Sequence, residues 1–358
     1  MGFAKVVLTV FVLYAAAITP PIHSFNCTTS TTTTTTSCNG LVGYISPNST
    51  TLSSITSLFG ITSLLSLLAS NNLPPSTLPN HTLSASQTIN IPFPCICVNG
   101  TGIPKDPPLY TVVSGDTLDH IATKVFSGLV TIDQIQAFNM IVNASLIQIG
   151  QELKIPLPCS CDKVNGETAV HYGHVVASGS SVAGIAQQFN TTEDTLLKLN
   201  GLASPKDLLA GAVLDVPLKV CTSMVNSTSL DYPLLVTNGT YTLTAGNCVM
   251  CNCDASNNWT LQCKSSQLNS SIWTTCPSMQ CQGAENSYLG NTTSSGCNRT
   301  TCAYAGYTNQ TILTILAQDS TCPVSNNNNA SKFNLQGWSW SFILILVQLV
   351  LLCHHFIH

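Results

Sequence analysis

This chain has very little charge. Only 7% of its 358 residues are Asp, Glu, Lys or Arg, and the balance is a net −4. A nucleic-acid partner calls for a clustered basic face, which 11 Lys and Arg over this length do not supply. Glycoside hydrolysis calls for two carboxylates at a fixed separation. Acids are few: Asp116, Asp119, Asp133 and Glu152 are the whole set between residues 109 and 156. No stretch is left over to form a separate catalytic cleft, so the expectation is a protein that binds, with no enzymatic activity and no cofactor. Long apolar runs are missing too. Val6–Ala17 and Phe342–Leu352 lie at the two ends, and both fall short of the roughly 18 residues that cross a bilayer.

The two terminal runs read as processing signals. Lys5 supplies the positive charge ahead of Val6–Ala17, so residues 1–24 are expected to be a secretory signal peptide cleaved near Ser24. At the other end, Phe342–Leu352 is followed only by Cys353, His354, His355, Phe356, Ile357 and His358, with no Lys/Arg cluster to hold a cytoplasmic end. A polar, small-residue stretch, Ser325–Lys332, and a spacer through Ser341 precede it. Small residues, spacer and apolar tail form the pattern of a glycosylphosphatidylinositol (GPI) signal. Asn329 is the expected attachment residue, with Asn327, Asn328 and Ser325 as alternatives; residues 323–329 then form a linker and 330–358 a removed propeptide. The competing reading is a single-pass helix, which would want a longer span. The anchored protein would sit on the outer leaflet of the plasma membrane and have no cytoplasmic part.

Solubility without charge needs another source, and the sequence offers sugar. Asn26, Asn48, Asn80, Asn99, Asn143, Asn190, Asn226, Asn238, Asn258, Asn269, Asn291, Asn298 and Asn309 each open an Asn-x-Ser/Thr sequon, as does Asn329. So many in one chain point to the secretory pathway. Cysteine agrees. One of the 17, Cys353, falls in the removed tail and leaves an even 16, as expected of a disulfide framework in an oxidising compartment. Cys248-x-x-Cys251-x-Cys253 has zinc-like spacing, but among ten cysteines of a secreted region (residues 221–322) disulfides are the expectation. Thr28–Thr36 is a low-complexity polar run, read as a linker. His171 and His174 flank a strand start and read as ordinary surface or packing residues.

The first half of the chain repeats. Ile91-Pro92-Phe93-Pro94-Cys95-Ile96-Cys97 recurs as Ile155-Pro156-Leu157-Pro158-Cys159-Ser160-Cys161, with a third version at Val216–Cys221, spaced by about 60 residues. A β-type run opens each unit: Tyr44, then Tyr110–Val113, then His174–Ala177. A turn ending in a Ser/Thr helix cap follows, at Ser49–Thr51, Ser114–Thr117 and Ser178–Ser181. Next comes an amphipathic helix, with Leu118, Ile121, Ala122, Val125 and Phe126 in unit two and Val182, Ile185, Ala186 and Phe189 in unit three. A second short helix ends on Asn139 or Asn200, and a closing strand is expected at Glu152–Ile155 or Val213–Val216. The fold class is therefore α+β: three βααβ units (residues 25–97, 109–156 and 171–217), each with an antiparallel strand pair and helices on one face, then the cysteine-rich region.

Tyr110-x-Val112-x-x-Gly115-Asp116-Thr117-Leu118-x-x-Ile121-Ala122 and His174-Val175-Val176-x-x-Gly179-x-Ser181 resemble the LysM module, a βααβ unit that recognises N-acetylglucosamine polymers. With unit one degenerate, Cys-x-Cys links between units, and Asn258-Trp259-Thr260-Leu261 and Tyr304-Ala305-Gly306-Tyr307 in the cysteine-rich part, nearly the whole chain is similar to the plant LysM domain-containing GPI-anchored proteins of the chitin elicitor-binding type. The resemblance implies the disulfides Cys27–Cys97, Cys38–Cys161 and Cys95–Cys159, where six cysteines alone allow 15 pairings. It implies a chitin-binding groove in unit two, made of Leu109, Tyr110, Thr111, Val112, Val113, Ser114 and Gly115 on one side and Ala137, Phe138, Asn139, Met140, Ile141, Val142 and Asn143 on the other. Backbone N–H and C=O groups would bond the acetamides and hydroxyls, Val113, Met140 and Ile141 would cover the acetyl methyl, and Gly115 would let backbone approach closely. Ser178-Gly179-Ser180 and Asn200-Gly201-Leu202 offer a similar groove in unit three. The family commonly has Ile-Pro-Asp-Pro where this chain has Ile141-Val142-Asn143-Ala144, so the loop is expected to be less preorganised, and a glycan on Asn143 would shade it. The function implied is a pattern-recognition receptor for chitin in innate immunity, signalling through a LysM receptor-like kinase, with a long oligomer bridging two copies. Peptidoglycan as ligand and a structural wall glycoprotein are the alternatives.

Overall fold

The computed structural model describes residues 25–28, 37–284 and 286–320. The expected signal peptide, most of the Thr-rich run, the anchor residue and its propeptide lie outside the described residues. Among the described residues no single helix is long and apolar enough to cross a membrane.

Unit one is a complete βααβ unit. β1 (Ser37–Ile45) is followed by β2 (Thr50–Thr51), α1 (Leu52–Phe59), α2 (Leu64–Ser70), β3 (Thr82–Leu83) and β4 (Thr88–Val98), and β5 (Thr101–Pro104) folds back on β4. β1 and β4 pair antiparallel over their length, from Ser37 opposite Ile96 to Ile45 opposite Thr88. Unit two has β6 (Leu109–Thr111), α3 (Leu118–His120), α4 (Ile132–Phe138) and β7 (Glu152–Lys154). Unit three has β8 (Ala169–Val175), α5 (Val182–Gln188), α6 (Glu193–Leu199) and β9 (Val213–Lys219). β8 begins five residues before the expected run at His174, because Val170 and His171 point into the interior.

The helices begin where hydroxyl side chains cap them. Thr51, Ser63, Thr117, Thr131, Ser181 and Thr192 each accept from a backbone N–H three residues on, satisfying donors that the first turn leaves free. The first helix of unit two departs from the expected α-helix. After His120 it widens into a π-turn, Ile121–Val125, in which Phe126 N–H donates to Ile121 O at 2.9 Å. The wider turn brings Phe126 back over the face that already holds Ile121 and Ala122, and all three are buried.

The three units are joined as well as strung together. β8 adds parallel to β1, with Leu41 opposite Tyr172, so units one and three share a five-stranded sheet in the order β5-β4-β1-β8-β9. Gly43 permits this contact, because any side chain there would strike the Tyr172 hydroxyl. Unit two keeps its own β6–β7 pair, and its helices pack on unit one: Phe126 meets Phe59 edge to face, with centroids 5.7 Å apart. Truncating a buried phenylalanine of this kind costs about 3–5 kcal/mol. Cys27–Cys97, Cys38–Cys161 and Cys95–Cys159 clamp the assembly. Cys95 and Cys97 share one face of β4, whereas Cys159 and Cys161 lie on extended chain outside any strand.

The cysteine-rich region places β10 (Thr240–Thr244), β11 (Val249–Cys253) and β12 (Gln262–Ser265) in one antiparallel sheet. Cys221–Cys253, Cys248–Cys276, Cys251–Cys263 and Cys281–Cys302 staple it, so Cys248, Cys251 and Cys253 are cystines. The sulfurs of Cys38, Cys95 and Cys161 also gather within 4.8 Å, because two disulfides lie side by side. Asp231 accepts from Tyr304 Oη at 2.8 Å and Thr244 Oγ1 at 2.6 Å, which fixes the region's polar interior. Among the described residues, Ser294–Arg299 and Asp319–Ser320 belong to a second compact unit; within it Arg299 Nη2 lies 3.3 Å from Asp319 Oδ2.

Candidate functional site

In unit two the Val113–Asp116 turn and the loop after α4 carry the expected groove residues. Their exposure separates them into two sets. Val112 is buried, and Tyr110, Phe138, Asn139 and Ile141 are half-buried parts of the frame. Leu109, Thr111, Val113, Ser114, Gly115, Ala137, Met140, Val142 and Asn143 are open to solvent. Val142 is 99% exposed, Met140 87% and Val113 54%, a concentration of bare apolar surface that folding has not covered.

Asp116 holds the first side of the groove, although it is absent from the expected set. Its side chain is only 3% exposed. Oδ2 accepts from the Tyr110 hydroxyl at 2.9 Å and from the Val113 N–H at 2.8 Å, while the Asp116 N–H returns to Val113 O at 3.2 Å. Burial, and then the Asp116 carboxylate, push the Tyr110 phenol up to about 12, so it remains a donor. The sequence signal was Gly115-Asp116-Thr117, turn residues running straight into a helix cap. Gly115 has φ +90°, and a Cβ there would meet nothing of the described residues within 4 Å. Its conformation requires glycine; crowding by the protein does not.

Hydrogen bonds hold the second side where prolines are missing. Ile141 N–H donates to Gln136 O at 2.9 Å, and its side chain packs on the core. Met140 precedes it in the left-handed region at φ +53°. Asn143 Oδ1 accepts from Ser145 N–H at 2.9 Å. Asn139 closes the frame. Its Nδ2 donates to Ile135 O and to Lys154 O, both at 2.8 Å, and its Oδ1 accepts from Lys154 N–H at 2.8 Å. One amide thus ends α4 and docks it on β7. Asn200 does the same between α6 and Asp215, and Asn71, which the sequence reading passed over, does it between α2 and Asn90.

Unit three builds a different turn. Ser180 stands where unit two has Asp116, and His174 where unit two has Tyr110. His174 packs against Tyr172 and Phe189, and burial lowers its pKa. Among the described residues no carboxylate fastens this turn; Ser180 N–H reaches Ala177 O at 3.1 Å.

His171 corrects the expectation of an ordinary surface or packing residue. It is 1% exposed, and its Nδ1 lies 2.9 and 2.8 Å from the two Asp215 carboxylate oxygens. Its Nε2 lies 2.9 Å from Asp162 O. Both nitrogens face acceptors, so the ring carries both protons. Burial opposes the charge, but Asp215 and the Asp162 carbonyl outweigh it and hold the His171 pKa above the ordinary histidine value. The Asp162 carboxylate takes the Thr28 N–H at 2.8 Å, which carries the network to the chain's N-terminal segment.

Paired βααβ units with an open turn-and-loop groove and cystine clamps define a tandem LysM protein, and the LysM domain family model matches residues 110–156 and 174–217. The chain is 44% identical over 349 residues to LysM domain-containing GPI-anchored protein 2 of Arabidopsis thaliana, covering 97% of this chain and 95% of that one. It is 39% identical over 322 residues to the chitin elicitor-binding protein of Oryza sativa subsp. japonica, covering 88% of each. Over 149 residues it is 25% identical to chitin elicitor receptor kinase 1 of Physcomitrium patens, covering 40% of this chain and 22% of that one. The chain belongs to the family of LysM domain-containing GPI-anchored proteins.

Proposed function

We propose that this protein is the extracellular, lipid-anchored part of a chitin receptor, and that unit two reads the polymer. The observation that carries this is the uncharged groove itself. Val113, Met140 and Val142 stand bare on two loops whose backbones are fixed by Asp116, Gln136 and Asn139. A neutral acetylated sugar needs apolar cover for its methyl and ring face, backbone partners for its amide, and no charge. Leu109 to Gly115 and Ala137 to Asn143 form that contact set. Unit one serves as scaffold and counts as a third LysM unit on its βααβ order and its Asn71 latch.

Asn329 is the anchor residue in this account. A chain held by lipid outside the cell passes its signal through a membrane-spanning partner, and a LysM receptor-like kinase that grips the same polymer fits that need. A long oligomer can hold two receptors and raise the effective concentration of the second contact. The test is calorimetric titration of the purified ectodomain with N-acetylglucosamine oligomers of increasing length, with peptidoglycan fragments as competitors. Affinity that rises with length and resists peptidoglycan supports the reading; preference for peptidoglycan, or no binding, overturns it.

A further inference from the structure

Between unit one and the cysteine-rich region lies a cleft of about 320 Å³, at the lower end of the roughly 300–1,000 Å³ of small-ligand sites. Its position is fixed by the Tyr241 hydroxyl, which donates to Leu73 O at 2.6 Å and ties β10 to the end of α2. No lining residue carries a charge. The floor is apolar, with Leu52, Leu83 and Ile89 buried beneath it. The walls are carboxamides and hydroxyls, among them Asn72 and Gln87 on unit one, with the Asn71 and Asn90 amides already committed to the latch and to Ser70 O. Apolar floor and amide walls are what an acetamido sugar would meet well.

The facing wall is Asn238-Gly239-Thr240, and these three residues are a glycosylation sequon. Asn238 is exposed, and its Oδ1 is occupied by the Ala255 N–H at 2.8 Å. That bond fixes the carboxamide and leaves Nδ2, the atom that receives a glycan, for modification. We propose that Asn238 carries an N-linked glycan whose first N-acetylglucosamine lies in this cleft, so that sugar is a structural part of the junction between unit one and the cysteine-rich region. The same chemistry could arrive as a free chitin oligomer; the sequon on the wall assigns the cleft to the chain's own glycan. This does not depend on the groove of unit two.

The experiment uses the full ectodomain secreted from a eukaryotic host. Glycopeptide mass spectrometry measures occupancy at Asn238, Asn80 and Asn143 during digestion with a peptide N-glycanase, folded and denatured. The expected result is an occupied Asn238 whose glycan is released from folded protein about tenfold more slowly than those on exposed Asn80 and Asn143, as local protection slows attack, with the difference abolished on denaturation. Hydrogen exchange at residues 71–73 and 87–90 should quicken in Asn238→Gln and stay unchanged in Thr240→Ser, which keeps the sequon. An unmodified Asn238, or release at the same rate as at Asn80, overturns the proposal. So does protection of residues 71–73 and 87–90 by an added free oligomer, which would give the cleft to a soluble sugar. If Asn238→Gln is not secreted, the release rates alone decide.

Discussion

The Tyr110 hydroxyl donates to Asp116 Oδ2 across 2.9 Å, and this bond shapes the turn that presents Val113. Asp116 lies outside the contact set assigned to sugar, yet its carboxylate, bonded to Tyr110 and Val113 within that set, decides where the surface lies. Replacing it by Asn keeps the shape and loses charge-assisted bonding; replacing it by Ala frees the turn. Each lost bond to a charged group is worth about 1.5–3 kcal/mol. Chitin affinity should fall about tenfold or more in Asp116→Ala and less in Asp116→Asn, since a tenfold change is about 1.4 kcal/mol. Calorimetric titration beside a circular dichroism check of the fold measures this; an unchanged affinity in Asp116→Ala would show that the turn holds without it.

The latch amides should behave alike in all three units. Asn71→Ala, Asn139→Ala and Asn200→Ala each leave a strand N–H and C=O without their partner. A buried group left unpaired costs about 1–3 kcal/mol, so each variant should lose stability in denaturant unfolding, by about 2–4 kcal/mol at the part-buried bonds of Asn71 and Asn200 and by less at Asn139, whose Lys154 partner is exposed. Loss in units two and three with none at Asn71 would mark unit one as held by its disulfides alone.

Stability should fall as pH rises through the titration of His171. Its folded pKa is raised, so its contribution is fully present below the unfolded value of about 6.5 and is lost as pH climbs through the folded value. Thermal unfolding of the wild type should show this decline as pH rises above about 6.5. His171→Gln should be less stable at pH 6 and flatter with pH. Parallel curves for the two proteins would contradict a charged buried pair.

Much of this was legible in the chain. Thr51, Thr117 and Ser181 announced their helices, and the recurring Pro-x-Pro-Cys-x-Cys marked the unit ends. What was not legible is tertiary. Nothing near Leu41 says that its strand accepts Tyr172 in parallel, because that pairing joins residues 131 apart in the chain. His171 looks ordinary until Asp215, 44 residues on, is folded beside it. Asn71 was hidden because unit one's loops are longer and its apolar spacing less regular. At the groove, Val113 and Met140 stood out as apolar residues in turns, while Asp116 read only as turn chemistry.

Sugar on the second loop should compete with the ligand. Asn143-Ala144-Ser145 is a sequon beside Val142, and Asn143 is exposed. Ser145→Ala removes the modification without touching Asn143, and should raise chitin affinity in protein made by a glycosylating host. Protein bound to a chitin resin should also carry less glycan at Asn143 than protein that flows through. Equal occupancy in the two fractions would mean that the glycan points away.

The proposed reader of the polymer is unit two and not unit three. Val113 and Ala177 occupy equivalent places in the two turns, and both are exposed. Titrating Val113→Asp and Ala177→Asp with the same long N-acetylglucosamine oligomer compares them directly. Val113→Asp should lose binding, while Ala177→Asp should bind as the unmodified protein does. Binding retained in Val113→Asp, or lost in Ala177→Asp, would contradict this reading.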